Sequence, residues 1–260
     1  MGFLLQLPPP ISFLIVSAGT TFFTLAGLYL VRRKYSADVL KENHEVAAII
    51  FNAFGLFYGV MLAFVVFVTW SGYSDATKDL EMEANLADDL FHIAKAVPDP
   101  AKTTMQQGLI GYVNSVFDEL KRMAEGEIEI HSTGVMGDLL TQFYQIDEKS
   151  FPNKQIYGEA LSRLNNLAEY RRLRIFTGND TVPSVVWLVL LVGAVFTVCF
   201  NYLFGMKNIR AQYLITATLT ITMSQILFLI YVLDHPFTGA TRISTEPLKQ
   251  VMEVMQSEKG

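Results

Sequence analysis

Along the chain, apolar positions gather into four long runs, and polar positions gather between the second and third of them. The runs are Ile11–Val31, Val46–Trp70, Val185–Met206 and Ala211–Leu233, and none holds an Asp, Glu, Lys, Arg or His. A bilayer core takes about 20 apolar residues as helix, so each run is long enough to cross one. Pro8, Pro9 and Pro10 precede the first run and keep its helix from extending back. No basic residue precedes that run and three follow it (Arg32, Arg33, Lys34), the reverse of a cleaved signal peptide.

The pattern changes after Trp70. Ala76, Leu80, Ala84, Ala87, Phe91 and Ala94 recur at helical steps, and no proline interrupts residues 46–97. The second run is therefore predicted to continue as one helix of about 50 residues, about 75 Å long at 1.5 Å per residue. Asp99-Pro100 reads as an N-cap followed by a first-turn proline. The next helix carries Met105, Leu109, Tyr112, Val116, Leu120 and Met123 on one stripe and closes at Gly126. A shorter helix covers residues 135–146. The last of the insert begins near Phe151-Pro152 and breaks at Thr177-Gly178-Asn179-Asp180. Residues 247–255 form one short amphipathic helix beyond the fourth run.

The predicted fold class is thus an all-α integral membrane protein with four transmembrane helices. A helical extramembrane bundle lies between spans two and three. Its segments are residues 1–71 (spans one and two), 72–182 (the insert), 183–233 (spans three and four) and 234–260 (a tail with a short helix).

Composition sharpens this division. The 260 residues are 51% hydrophobic and 17% charged, a low charge content for a soluble domain. The shortage lies in the four runs: residues 72–182 hold 11 basic and 18 acidic residues, a net of −7 against −5 for the whole chain. An acidic balance argues against nucleic-acid binding. The single cysteine, Cys199, forms neither an intrachain disulfide nor a zinc cluster.

The short loops at residues 32–45 and 207–210 carry six basic residues in 18. By the positive-inside rule they are cytoplasmic, which puts both termini and the insert outside a bacterial inner membrane. Arg171, Arg172 and Arg174, just before span three, pull the other way.

No catalytic pattern is present. His44-Glu45 lacks a second histidine at zincin spacing, and His44, His92, His131 and His235 share no ligand spacing. Neither a nucleophile elbow nor a phosphate loop occurs, so no enzyme activity and no cofactor are expected. Glu81, Glu83, Asp88 and Asp89 fall on different helix faces and read as a solvated acidic surface.

Polar groups inside the spans carry the candidate chemistry. Gly55 and Gly59 form a GxxxG, Ala63 continues the row, and Asn52 lies one turn earlier on the same face. Small residues in that register let helices approach closely in lipid, and a buried amide faces protein or water. The face is either a conduit wall or a packing seam with Asn52 as glue; taken alone it fits packing better. Phe51 and Phe54 are candidates for a constriction. In span four, Thr218, Thr222 and Gln225 share a face that suits a hydrated path, although threonine in a membrane helix satisfies itself on the i−4 carbonyl. Arg171, Arg172 and Arg174 are candidates for binding an anion or lipid headgroups. The absence of ionisable residues in the spans argues against a coupled pump and leaves a channel open.

Several segments, in order, resemble the bacterial bestrophin-like family. They are Phe54-Gly55-Leu56-Phe57-Tyr58-Gly59-Val60-Met61-Leu62-Ala63-Phe64-Val65-Val66, Glu83-Ala84-Asn85-Leu86-Ala87-Asp88, Leu164-Asn165-Asn166-Leu167-Ala168-Glu169-Tyr170-Arg171-Arg172-Leu173-Arg174, Tyr202-Leu203-Phe204-Gly205 and Asp234-His235-Pro236-Phe237-Thr238-Gly239. The resemblance runs from Arg32 to about Leu248. It implies looser kinship with bestrophins, pentameric anion channels whose second span lines the pore neck. The acidic cluster through which animal bestrophins bind calcium is missing here, so calcium gating is not implied. Kinship also implies cytosolic termini, against the charge rule. The resulting expectation is a homo-oligomeric, anion-conducting channel in the lipid bilayer with ions as its passengers. The alternative is a non-conducting scaffold or sensor whose acidic insert binds a partner.

Overall fold

Charge-free sequence and obligatory backbone pairing leave helix as the open choice in a bilayer, and in the computed structural model the regular elements among the described residues, 2–36, 44–126, 133–206 and 208–257, are all helices. The helices are α1 (Gly2–Gln6), α2 (Pro9–Lys34), α3 (His44–Ala94), α4 (Ala101–Glu125), α5 (Thr133–Tyr144), α6 (Lys154–Asn179), α7 (Ser184–Tyr202), α8 (Ile209–Leu233) and α9 (Glu246–Ser257). Of these, α2, α3, α7 and α8 are long and apolar enough to cross a membrane. The predicted continuation of span two is borne out, since α3 is 51 residues without a break.

Several boundaries differ from expectation. Helix α4 starts at Ala101, with Pro100 at the cap and no side-chain capping bond. The Asp99 carboxylate accepts instead from the Thr103 hydroxyl at 2.6 Å. Helix α6 passes through Thr177 and Gly178 to Asn179, and the Phe237 ring packs on Gly178, where a Cβ would lie 2.9 Å from it. The third span ends at Tyr202 rather than Met206. Caps fix other ends: the Asn153 side chain accepts from the Ile156 N–H, and that of Asn208 from the N–H groups of Arg210 and Ala211. Gly126 closes α4 at φ 89°, a left-handed conformation that favours glycine.

The chain divides into two compact units. The first contains residues 3–72 and 181–234. Within it α2 lies along α8, with Phe13 edge-on to Phe228 at 4.8 Å and the Tyr202 hydroxyl donating to the Thr24 carbonyl at 2.6 Å. Helix α3 meets α7 through Tyr58, Leu62, Val65 and Leu190. The Tyr58 hydroxyl donates to the Leu190 carbonyl at 2.6 Å. Gly193 makes room for the Tyr58 ring, with which any Cβ there would collide. Outward positions are apolar and bare: Phe23 is 75% exposed and Phe57 74%. So much contiguous apolar surface is untenable in water and ordinary in lipid.

The second unit contains residues 73–180 and 235–260. Its core joins Leu80, Leu90 and Phe91 of α3, Met105, Leu109 and Tyr112 of α4, Leu164 and Leu167 of α6, and Leu248 and Met255 of α9. The tail that follows α8 is therefore part of this fold. The Gly239 N–H donates to the Ala124 carbonyl at 3.2 Å, and the Tyr73 hydroxyl to the Thr241 carbonyl at 3.2 Å.

At the centre of this unit lies a buried ion cluster. The Arg174 Nε donates to Glu83 Oε2 at 2.5 Å and its Nη2 to Glu119 Oε2 at 3.1 Å. Arg171 Nη1 reaches the same Glu119 oxygen at 3.1 Å, and the Tyr112 hydroxyl donates to Glu83. Burial, then the Glu83 charge, pushes the Tyr112 phenol well above its ordinary range, so it keeps the proton it donates.

Asp79, beside this cluster, is raised mainly by burial, with Asp75 and Glu83 adding and its Thr177 hydrogen bond subtracting. A carboxyl raised on folding contributes most at low pH, and that contribution is lost as pH rises through its folded pKa. Asp79→Asn is therefore expected to raise the thermal midpoint near neutral pH and to leave it unchanged at about pH 2, well below the ordinary aspartate pKa of about 3.9, where the carboxyl is protonated folded and unfolded. Unfolding followed by circular dichroism at the two pH values checks it.

Candidate functional site

Helix α3 presents two faces to its surroundings within the first unit. One bears Tyr58, Leu62, Val65 and Thr69, all buried against the rest of that unit. Asn52, Gly59 and Ala63 are exposed, with Gly55 at the margin. A Cβ built on Gly55 or Gly59 meets nothing within 4 Å. The small-residue row is thus not a seam between helices of one chain. It is an open surface, flanked by the exposed side chains of Leu56, Val60, Phe64 and Phe67.

Phe51 and Phe54 lie toward the other side. Phe51 stands edge-on to Phe204 at 5.4 Å, and Phe54 stacks on Tyr58 at 5.9 Å. Both are half-buried in contacts within this unit.

In α8 the structure separates two polar rows that the sequence reading had not distinguished. Thr218, Thr222 and Gln225 are exposed together, and the two threonine hydroxyls donate to the Leu214 and Thr218 carbonyls at 2.9 and 3.0 Å. Gln212, Thr216, Thr220 and Ser224 form the buried row. Thr216 accepts from the Asn201 amide at 2.6 Å, and Ser224 lies 3.5 Å from Ser17 of α2. Their four-residue spacing was the signal for this inner row, which holds three hydroxyls against two on the outer one.

The three arginines divide as well. Arg171 and Arg174 are 2% and 0% exposed. Their guanidinium groups are held by Glu83 and Glu119, which corrects the expectation that they bind an anion or lipid headgroups. Only Arg172 is exposed. Glu83 likewise leaves the solvated acidic surface, and Asp89 pairs with Arg163. His92 sits 3.5 Å from Asp88; the side chains of His44 and His131 lie outside the described residues. Among the described residues no cluster of His, Cys, Asp and Glu could hold a metal ion.

The order of these elements can be compared with known proteins. The Bestrophin-like domain family matches residues 18–248. The chain belongs to the bestrophin-like family. A variant of a bacterial bestrophin homologue from Klebsiella pneumoniae superposes with a TM-score of 0.71 at 15% identity, covering 92% of this chain and 99% of that one. A membrane-protein variant gives 0.72 at 15% identity over 92% and 98% of the two chains. Another structure of the Klebsiella pneumoniae homologue gives 0.67 at 16%, over 90% and 95%. At such identity the likeness speaks for the fold. A search of curated proteins finds no match. Family membership and four apolar helices together make this bestrophin-like chain a membrane protein.

Proposed function

We propose that this bestrophin-like chain is the subunit of an oligomeric ion channel that conducts anions, with the outer face of α3 lining the conduit. The observation that supports the proposal is the exposed stretch of Gly59 and Ala63, where a Cβ on Gly59 meets nothing within 4 Å among the described residues, with the exposed Asn52 two turns earlier. An amide and bare helix backbone provide hydrogen bonding for an ion without a fixed charge to trap it. Kinship with the bacterial bestrophin homologues supports a channel and suggests five-fold symmetry, which particle images would count.

Purified protein reconstituted in planar bilayers is the deciding experiment. Unit conductance under a chloride gradient is expected, and silence across both anions and cations overturns the reading. Asn52→Leu is expected to change unit conductance at least about twofold with oligomer size unchanged, since one polar contact exchanged for an apolar one alters passage by roughly a kcal/mol. Lost assembly with intact folding would assign Asn52 to packing instead.

Burial of Arg171 and Arg174 takes two charges out of the positive-inside count. A reporter fused after residue 257 decides orientation: activity in the cytosol follows kinship, and activity outside follows loop charge.

A further inference from the structure

The first unit holds a cavity of about 270 Å³ where the start of α3, the end of α7 and the start of α8 come together. Ala48, Phe51, Phe204, Met206 and Ile215 make most of its wall, and its polar members are three amides, Asn52, Asn201 and Gln212. No lining side chain is charged.

The amides are not equivalent. Asn201 spends its N–H on Thr216 Oγ1 at 2.6 Å, and Gln212 spends its own on the Phe204 carbonyl at 2.9 Å. Gln212 is 2% exposed, and its Oε1 has no hydrogen-bond partner among the described residues. A buried acceptor without a donor is costly and asks for an explanation. Flipping the amide does not remove the problem, because the Phe204 carbonyl needs the N–H where it is.

Charge narrows the occupant. Arg32 Nη2 donates to the carbonyl of the lining residue Met206 at 3.1 Å, so a guanidinium stands at the rim and disfavours a cation. An anion would face the lone pairs of the Gln212 oxygen. A neutral molecule with one donor escapes both, and the rings of Phe51 and Phe204, edge-on at 5.4 Å, suit an apolar planar body.

We propose that this cavity is a binding site for a small neutral molecule that places an O–H or N–H donor on Gln212 and an apolar ring against Phe51 and Phe204. The site goes beyond ion conduction and stands whether or not the chain conducts.

The test compares 4-fluorophenol with 4-fluorotoluene, which differ in the donor, on the full-length protein in lipid nanodiscs by fluorine NMR titration. Empty nanodiscs subtract partitioning into lipid. Saturable 4-fluorophenol binding is expected, about tenfold tighter than 4-fluorotoluene, the weight of one hydrogen bond to a buried group. Gln212→Met is expected to bring the two probes to equal affinity, and Ala48→Leu, which fills the cavity from α3, to weaken both. Equal affinity on the unaltered protein, or no saturable binding at all, overturns the proposal without reliance on either variant.

Discussion

Arg174→Met is expected to cost the second unit about 3–5 kcal/mol, the toll of leaving a buried charge without its partner. The guanidinium is fully buried between Glu83 and Glu119. Once it is gone, Glu119 still has Arg171 at 3.1 Å, whereas Glu83, itself fully buried, is left with the Tyr112 hydroxyl among the described residues. A methionine of similar length fills the space and supplies no charge, so packing loss is small and electrostatics dominate. Pairing it with Glu83→Gln, which removes the stranded charge and still accepts from Tyr112, is expected to recover more than half of the loss. Hydrogen exchange of the full chain in detergent, read over residues 73–180, measures both. Equal loss in the single and double variants would show that the cluster acts through shape rather than charge. The Arg174 charge itself is secure, because attraction from both glutamates outweighs burial and holds its pKa above the ordinary arginine value.

Gly193→Leu is expected to be nearly as damaging in the first unit. The Tyr58 ring occupies the space over Gly193, and its hydroxyl holds the Leu190 carbonyl one turn earlier on α7. Overpacking a tight core costs about 1–3 kcal/mol when neighbours can give way. Here the collision is with a ring anchored at both ends, so the upper part of that range or beyond is expected. Tyr58→Phe alone removes only the hydrogen bond, worth about 0.6 kcal/mol between membrane helices. Combining Gly193→Leu with Tyr58→Ala moves bulk from one helix to the other and is expected to restore a large share. Thermal midpoints of the four proteins in one detergent give the comparison. The seam also sets which way Asn52 points, so a Gly193→Leu channel that still folds is expected to show altered conductance.

Both features bear on how far the sequence could be read. The spans were legible because absence of charge over 20 residues is a one-dimensional signal. The length of α3 was legible because small apolar residues kept helical period beyond Trp70. The bundle positions Leu109, Tyr112 and Val116 were legible for the same reason, and all are fully buried. The ion cluster was not, because Glu83, Glu119, Arg171 and Arg174 come from three helices and look like surface charges until those helices pack. Gly193 was equally silent: its role is defined by a ring 135 positions away in the chain, and no spacing rule connects them. The family resemblance was legible in the order of short segments, each weak alone. The row of Asn52, Gly59 and Ala63 was visible as a face, and only the packed helices show Gly59 and Ala63 exposed while Asn52 also borders a cavity with Asn201 and Gln212.

The exposed row of α8 has a polarity of its own. Thr218 and Thr222 each commit the hydroxyl hydrogen to a carbonyl one turn back, so what they present outward is oxygen lone pairs. A chloride ion passing along that strip would find no donor until the amide of Gln225. The two threonines therefore offer acceptors outward and no donor, which suits a cation better than an anion. An anion conduit built on α3, as proposed, would therefore take its donors from α3 and Gln225 and not from the two outward threonines of α8.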